Sequence, residues 1–247
     1  MKTRMRLMTL VSVTLMGLAL GSASFAGSIT YGDFVGANVL YSSVVEESTT
    51  DPVPLYGAPI VSLNALVFSP TSFGSSSSNG GSDITDSQLT MTITAKQGSC
   101  IDIIRVTEEG DYTLVGTGTS ATSANVGASV FVTVLEINGS AITPFVISDN
   151  LIFTPSGGTY NLADDGPGIA IKWQGVLELT NLLAGRGYEG CATKVNFTMN
   201  NTLSTSSEEG TSAFIKKKST IIDTPEPMTM LLVAFGAGVA VLRRRAR

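Results

Sequence analysis

Two carboxylates sit inside apolar runs, Glu136 in Val134-Leu135-Glu136-Ile137 and Glu178 in Val176-Leu177-Glu178-Leu179. A glycosidase needs such a pair facing one cleft, one as general acid and the other as base or nucleophile. The two runs carry no spacing that aligns them, and outward-facing residues on one-sided sheets account for both. The chain is therefore read as a non-enzyme. Asp164-Asp165-Gly166, with Asp83, Asp86, Asp149 and Asn150 near expected turns, supplies oxygens of the kind calcium takes. No EF-hand loop is present, and Asx turns explain such residues more simply, so no metal and no other cofactor is assigned. Trp173 is the only tryptophan and shares its phase with Ile169 and Ile171. That pattern reads as a core plug ahead of a sugar-stacking platform. Asn138, Asn196 and Asn200 stand in Asn-x-Ser/Thr triplets, a pattern too short to signify in itself. The 247 residues include no histidine, which removes His-dependent triads, the usual catalytic zinc sets and a His proton switch.

The elements that must position these residues are strands. Leu89–Lys96 alternates apolar and polar side chains, and so does Cys191–Asn200. Period two marks a half-buried strand, with Leu89, Met91, Ile93, Val195, Phe197 and Met199 facing inward. Further strands are expected over 38–46, 60–68, 101–107, 112–116, 129–137, 141–147, 151–154, 169–179 and 212–216. Asn138-Gly139 between two apolar runs is a hairpin signal, because both residues tolerate positive φ. Glu108-Glu109-Gly110-Asp111 reads as a longer turn. Segments 48–59, 74–82 (with four serines in a row) and 161–168 read as loops. Many short strands with Gly-rich turns and no convincing amphipathic helix predict an all-β fold, a single antiparallel β-sandwich. A jelly roll or a single-layer barrel is the competing architecture.

Both ends of the chain carry export signals. Lys2, Arg4 and Arg6 precede an apolar stretch from Leu7 to Leu20, and Ala23-Ser24-Phe25-Ala26 offers small residues for cleavage after Ala26. This is a secretory signal peptide over residues 1–26. At the other end Pro225-Glu226-Pro227 precedes an apolar run from Met228 to Leu242, then Arg243, Arg244, Arg245 and Arg247. Fifteen helical residues reach roughly 22 Å, short of a ~30 Å hydrocarbon core. The arginines favour the cytoplasmic side, so this tail stalls in the membrane with the body outside.

Removing three basic residues with the leader and four with the tail leaves eight against 19 acidic ones in the body, a net of −11, where the whole chain is at −5. A body this acidic repels phosphate backbones, which excludes nucleic acid as a partner. Cys100 and Cys191 both lie in this exported part, and one disulfide is the simplest reading; a two-ligand metal site is the lesser one.

The Pro-Glu-Pro triplet, the short apolar run and the basic end together resemble the PEP-CTERM sorting tail, which exosortases read in bacteria that export polysaccharide. The resemblance covers residues 224–247. It implies processing at Pro225, Glu226 and Pro227 by an exosortase-type enzyme. Segment 50–59, the serine run and segment 206–215 also resemble a recurring type of exported protein bearing this tail, which implies one β domain and no particular activity. The expected organisation is a signal helix (1–26), a β-sandwich (27–216), a linker (217–223) and a sorting tail (224–247) with its own hydrophobic helix. The expected function is a structural protein of the cell surface or extracellular matrix, linked to exopolysaccharide and biofilm. The alternative is a carbohydrate- or protein-binding module at the surface, with a secreted hydrolase behind it.

Overall fold

Alternation of inward apolar and outward polar side chains runs the length of the longest strands. In the computed structural model, which describes residues 27–225, it builds two antiparallel sheets of seven strands each. The first sheet has the order β1 (Gly27–Val35), β2 (Val39–Ser48), β6 (Ser82–Ala95), β13 (Ala192–Ser206), β8 (Ser123–Ile137), β11 (Thr159–Asn161), with β9 (Ser140–Asn150) also paired to β8. The second has the order β10 (Ile152–Thr154), β12 (Gly168–Thr180), β7 (Ile103–Val115), β14 (Ser212–Asp223), β4 (Ala65–Phe68), β3 (Ile60–Ser62), with β5 (Gly74–Ser78) also paired to β14. Their inner faces fill one core, as a β-sandwich requires. The expected leader with Ala26 lies outside the described residues, as do Glu226, Pro227, the apolar run 228–242 and the arginines Arg243, Arg244, Arg245 and Arg247.

The central strand of the first sheet is β13, bonded along its length to β6 and to β8. Leu89, Met91, Ile93, Val195, Phe197 and Met199 are all buried, as the alternation predicts. Asn138 and Gly139 form the tight turn between β8 and β9, with φ of 50° and 76°. Both central residues at positive φ give a turn whose twist matches the flanking strands.

Several segments differ from expectation, each for an identifiable reason. Glu108–Asp111 is no turn but the middle of β7. Gly110 there lies opposite Trp173 on one side and Lys217 on the other. A Cβ at Gly110 would come within 2.3 Å of the Trp173 ring, so the glycine is needed for packing rather than for turning. The serine run is no loop but β5, paired to β14. Ser75 turns inward, donating to the Asp83 carbonyl at 3.1 Å and meeting the Thr205 hydroxyl at 3.0 Å. Segment 60–68 folds back on itself as the β3–β4 hairpin, with Leu63 at φ 55°. The expected linker 217–223 is strand: Lys217–Asp223 continues β14, in register with β7 from Gly110 to Arg105. Its three neighbouring lysines mask an inward face that continues through Thr220 and Ile222. The β domain therefore runs to Asp223 and not to residue 216. The N-terminal strand β1 was not expected at all. It is an edge strand with two register shifts, and its alternation of half-buried and exposed residues breaks phase at Tyr31-Gly32.

Phe197 is fully buried while its neighbour Thr198 points to the other face. Replacing Phe197 by Ala is expected to cost ~3–5 kcal/mol in denaturant unfolding, and Thr198→Ala less than ~1 kcal/mol. Equal losses would mean that the inward face of β13 is misassigned.

Candidate functional site

The residues that suggested chemistry in the sequence do not converge. Glu136 lies in the first sheet and pairs with Lys194 at 3.4 Å; Glu178 lies in the second and pairs with Arg105 at 2.6 Å. They face no common cleft. Asp86 closes the turn after β2, accepting from the Thr49 and Thr50 amides at 2.8 and 3.2 Å and from Thr49 Oγ1 at 2.5 Å. Burial raises its carboxyl pKa, but the hydrogen bonds outweigh burial and hold it below the usual range. Asp164 and Asp165 close an Asx arrangement with Asn161, which donates from its side chain to Asp164 at 2.9 Å and from its amide to Asp165 at 2.8 Å. Asp83 accepts from the Ser76 amide at 2.8 Å and Asp149 from the Asn150 amide at 2.8 Å. Among the described residues no three His, Cys, Asp or Glu side chains form a group that would hold a metal.

Trp173 is a core residue, 2 % exposed and edge-on to Phe153 at 5.9 Å. Ile169 and Ile171, expected on its face, are exposed. A register shift between Gly168 and Ile171, with Ala170 at φ 53°, interrupts the strand and turns both isoleucines out. Cys100 and Cys191 are joined in a disulfide with a Cα separation of 5.6 Å. It ties the segment before β7 to the residue before β13, beside the backbone bridge of Ile101 to Ala192.

The structure instead brings together a set of buried polar groups between the sheets. Lys217 on β14 and Glu108 on β7 are both fully buried, with Nζ 2.5 Å from Oε1. Asn201, on β13 of the opposite sheet, accepts from the same Nζ at 2.5 Å through Oδ1. Its Nδ2 donates to Glu108 Oε1 at 2.9 Å and to the Tyr56 hydroxyl at 2.6 Å. Thr220 adds a hydroxyl 3.3 Å from Glu108 Oε1, while Glu108 Oε2 has no partner. Phe73 and Tyr56 present their rings to the Lys217 ammonium, with centroids 4.8 and 5.5 Å away. Burial lowers Lys217 to about 8, against the opposing pull of Glu108. Burial likewise raises Tyr56 well above its usual value, with Glu108 and Glu46 adding to the rise.

Local structure delivers each group. Ala213, Ile215 and Lys217 face inward on alternate positions of β14. A bulge between Lys217 and Ser219 then shifts the phase so that Thr220 and Ile222 also face inward. Asn201 takes the next inward place after Phe197 and Met199. Tyr56 comes from the loop 49–59, which inserts Leu55 and Tyr56 into the core. Buried Glu46 holds that loop, accepting from the Leu55 amide at 2.6 Å, the Tyr56 amide at 3.2 Å and the Tyr31 hydroxyl. None of Glu46, Tyr56, Glu108, Asn201 and Lys217 was singled out from sequence. The usable signal was phase: Asn201 and Lys217 continue inward periods set by apolar residues, and a polar side chain there needs partners.

No family model matches the chain, and no curated protein does. Among solved structures it is similar to the carbohydrate-binding module TmCBM61, described in complex with β-1,4-galactotriose, at 9% identity and TM-score 0.21, covering 64% of this chain and 70% of that one. It is also similar to the enzymatically active domain of Bacteriophage CBA120 tailspike protein 4, at 16% identity and TM-score 0.18, covering 71% of this chain and 17% of that one. An ENZbleach xylanase mutant is matched at 10% identity and TM-score 0.18, covering 83% and 92%. Likeness at these TM-scores carries no functional argument.

Glu46→Ala leaves three donors without their acceptor, two of them buried amides. The expected loss is ~2–5 kcal/mol by denaturant unfolding, against ~0.5 kcal/mol or less for the exposed neighbour Glu47→Ala. The disulfide spans a separation of 91 residues. Opening it is expected to cost up to ~4–5 kcal/mol, by comparison of oxidised and reduced protein. Thiol titration of the unreduced, denatured protein should find no free thiol.

Proposed function

We propose that the chain is an exported structural protein of the cell surface or extracellular matrix, sorted through its C-terminal tail. The observation that most supports this reading is the Cys100–Cys191 disulfide, since such bonds form and persist in oxidising compartments outside the cytoplasm. Strand β14 ends at Asp223, and the next residue, Thr224, is buried and bonded to the Asn64 carbonyl through its amide and hydroxyl. The Pro225-Glu226-Pro227 motif thus follows the folded body directly, with no spacer. On this reading an exosortase-type enzyme processes the motif beside the membrane, the arginines hold the end inside, and the body is delivered to extracellular polysaccharide. No catalytic activity is assigned.

A second reading, a binding module for carbohydrate or protein, draws on one surface feature. Tyr188, part-exposed, stacks on Phe145 at 5.8 Å, and the Arg186 guanidinium lies 5.0 Å from the Phe145 centroid. Flat aromatic faces of this kind suit sugar rings. Loss of polysaccharide pull-down in Tyr188→Ala would favour this module over a purely structural body.

Intact-mass measurement on protein from its native host tests the sorting reading. The main species is expected to begin at Gly27 and to lack Arg247. A main species that still carries Arg247 would sink it. Replacing Arg243, Arg244, Arg245 and Arg247 by Ser should release unprocessed precursor, detected in the periplasm or medium by blotting. Normal processing of that variant would remove the arginines from the sorting mechanism.

A further inference from the structure

In the core between the sheets, a primary amine, a carboxamide and a carboxylate meet in direct contact. Lys217 Nζ and Asn201 Oδ1 are 2.5 Å apart, and Glu108 Oε1 touches both nitrogens, Nζ at 2.5 Å and Nδ2 at 2.9 Å. We propose that Lys217 and Asn201 join through an intramolecular amide, Nζ to Cγ, with Glu108 transferring the protons and ammonia leaving.

Amide exchange between free side chains is slow for three reasons, and the cluster answers each. The amine is normally protonated and not nucleophilic; here burial favours the neutral form of Lys217, and Glu108 lies in contact to take the proton. The two reactants are normally dilute; here opposite sheets hold them in contact, which substitutes for a high effective concentration. The carboxamide nitrogen is a poor leaving group unless protonated; here the base that receives the Nζ proton also reaches Nδ2. Water would compete for the acyl carbon, but Lys217, Glu108 and Tyr56 are fully buried and Asn201 is 2 % exposed.

The steps balance without a co-reactant. Lys217 passes one proton to Glu108 Oε1. The freed lone pair attacks Asn201 Cγ, and the carbonyl π pair moves onto Oδ1. Glu108 delivers its proton to Nδ2, which the Tyr56 hydroxyl orients at 2.6 Å. The oxygen pair re-forms C=O as the Cγ–Nδ2 bond breaks, its electrons leaving with ammonia. A second Nζ proton passes to Glu108 and departs with the ammonia as ammonium. The products are a secondary amide and the original carboxylate. The new bond joins β14 to β13 and so fastens one sheet to the other.

The test is a peptide map. The protein is purified from its native host, reduced, alkylated and digested, and its peptides are measured by mass spectrometry. Lys217 and Asn201 are expected in one branched peptide, lighter by one ammonia than the two linear peptides together. In Glu108→Gln, which cannot take the proton, both peptides should be linear while the disulfide still closes. Two linear peptides in the wild-type protein overturn the proposal and leave a non-covalent ion pair. Ammonia loss confined to Asn138-Gly139, where an Asn-Gly pair cyclises to a succinimide, overturns it equally. A branched peptide that persists in Glu108→Gln removes Glu108 from the proton transfer. If that variant does not fold, the wild-type map decides alone.

Discussion

A buried charge must be matched where it stands, and the Lys217–Glu108 pair imposes that demand on most of the sandwich. Taking two ions out of water costs several kcal/mol each unless geometry and further hydrogen bonds return it. Here the return comes from four directions. The opposite sheet supplies Asn201, the inserted loop supplies Tyr56, β14 supplies Thr220, and Phe73 offers the face of its ring. Each donor is itself held by something else. The Phe73 carbonyl accepts the Lys217 amide at 2.9 Å, and Glu46 grips the loop that carries Tyr56. The bulge in β14, the insertion of the loop and the inward place of Asn201 on β13 all serve one requirement, that this amine not be left alone.

The disulfide and the polar cluster fasten the sandwich by unlike means. Cys100 lies just before β7, and Cys191 just before β13. Glu108 and Asn201 lie further along those same two strands. One fastening depends on an oxidising compartment, whereas the other depends only on the exclusion of water. The domain thereby carries two fastenings of independent chemistry.

Much of the architecture was legible because it is written in period two. The alternation in 89–96 and 191–200 gave the inward faces of β6 and β13, and Asn138-Gly139 gave its hairpin. The failures share a physical cause: the signals used were composition signals, and neighbours overrode them. Glycine and acids at 108–111 resemble a turn, but Gly110 is small because Trp173 lies across it. Serines at 75–78 resemble a loop, but their backbone pairs with β14 and the Ser75 hydroxyl finds partners inside the sheet. Three lysines resemble a solvated linker, but the middle one is fully buried. The cluster was hidden for the same reason. Lys217 and Glu108 looked polar and therefore exposed, and only the pairing of distant strands reveals that they meet.

The position of β14 has a mechanical consequence. It lies inside its sheet, bonded to β7 on one side and to β4 and β5 on the other. Any tension on the chain beyond Pro225 enters through this strand, along its axis. Bonds lying across that axis on both flanks are then loaded together in shear, instead of being opened one after another from an edge. Thr224, held at the Asn64 carbonyl, takes the first of that load. At the other end β1 is an edge strand with a single partner, so a pull on Gly27 would peel it away. The described domain thus resists a pull on its C-terminal strand in shear, and a pull on Gly27 only by peeling.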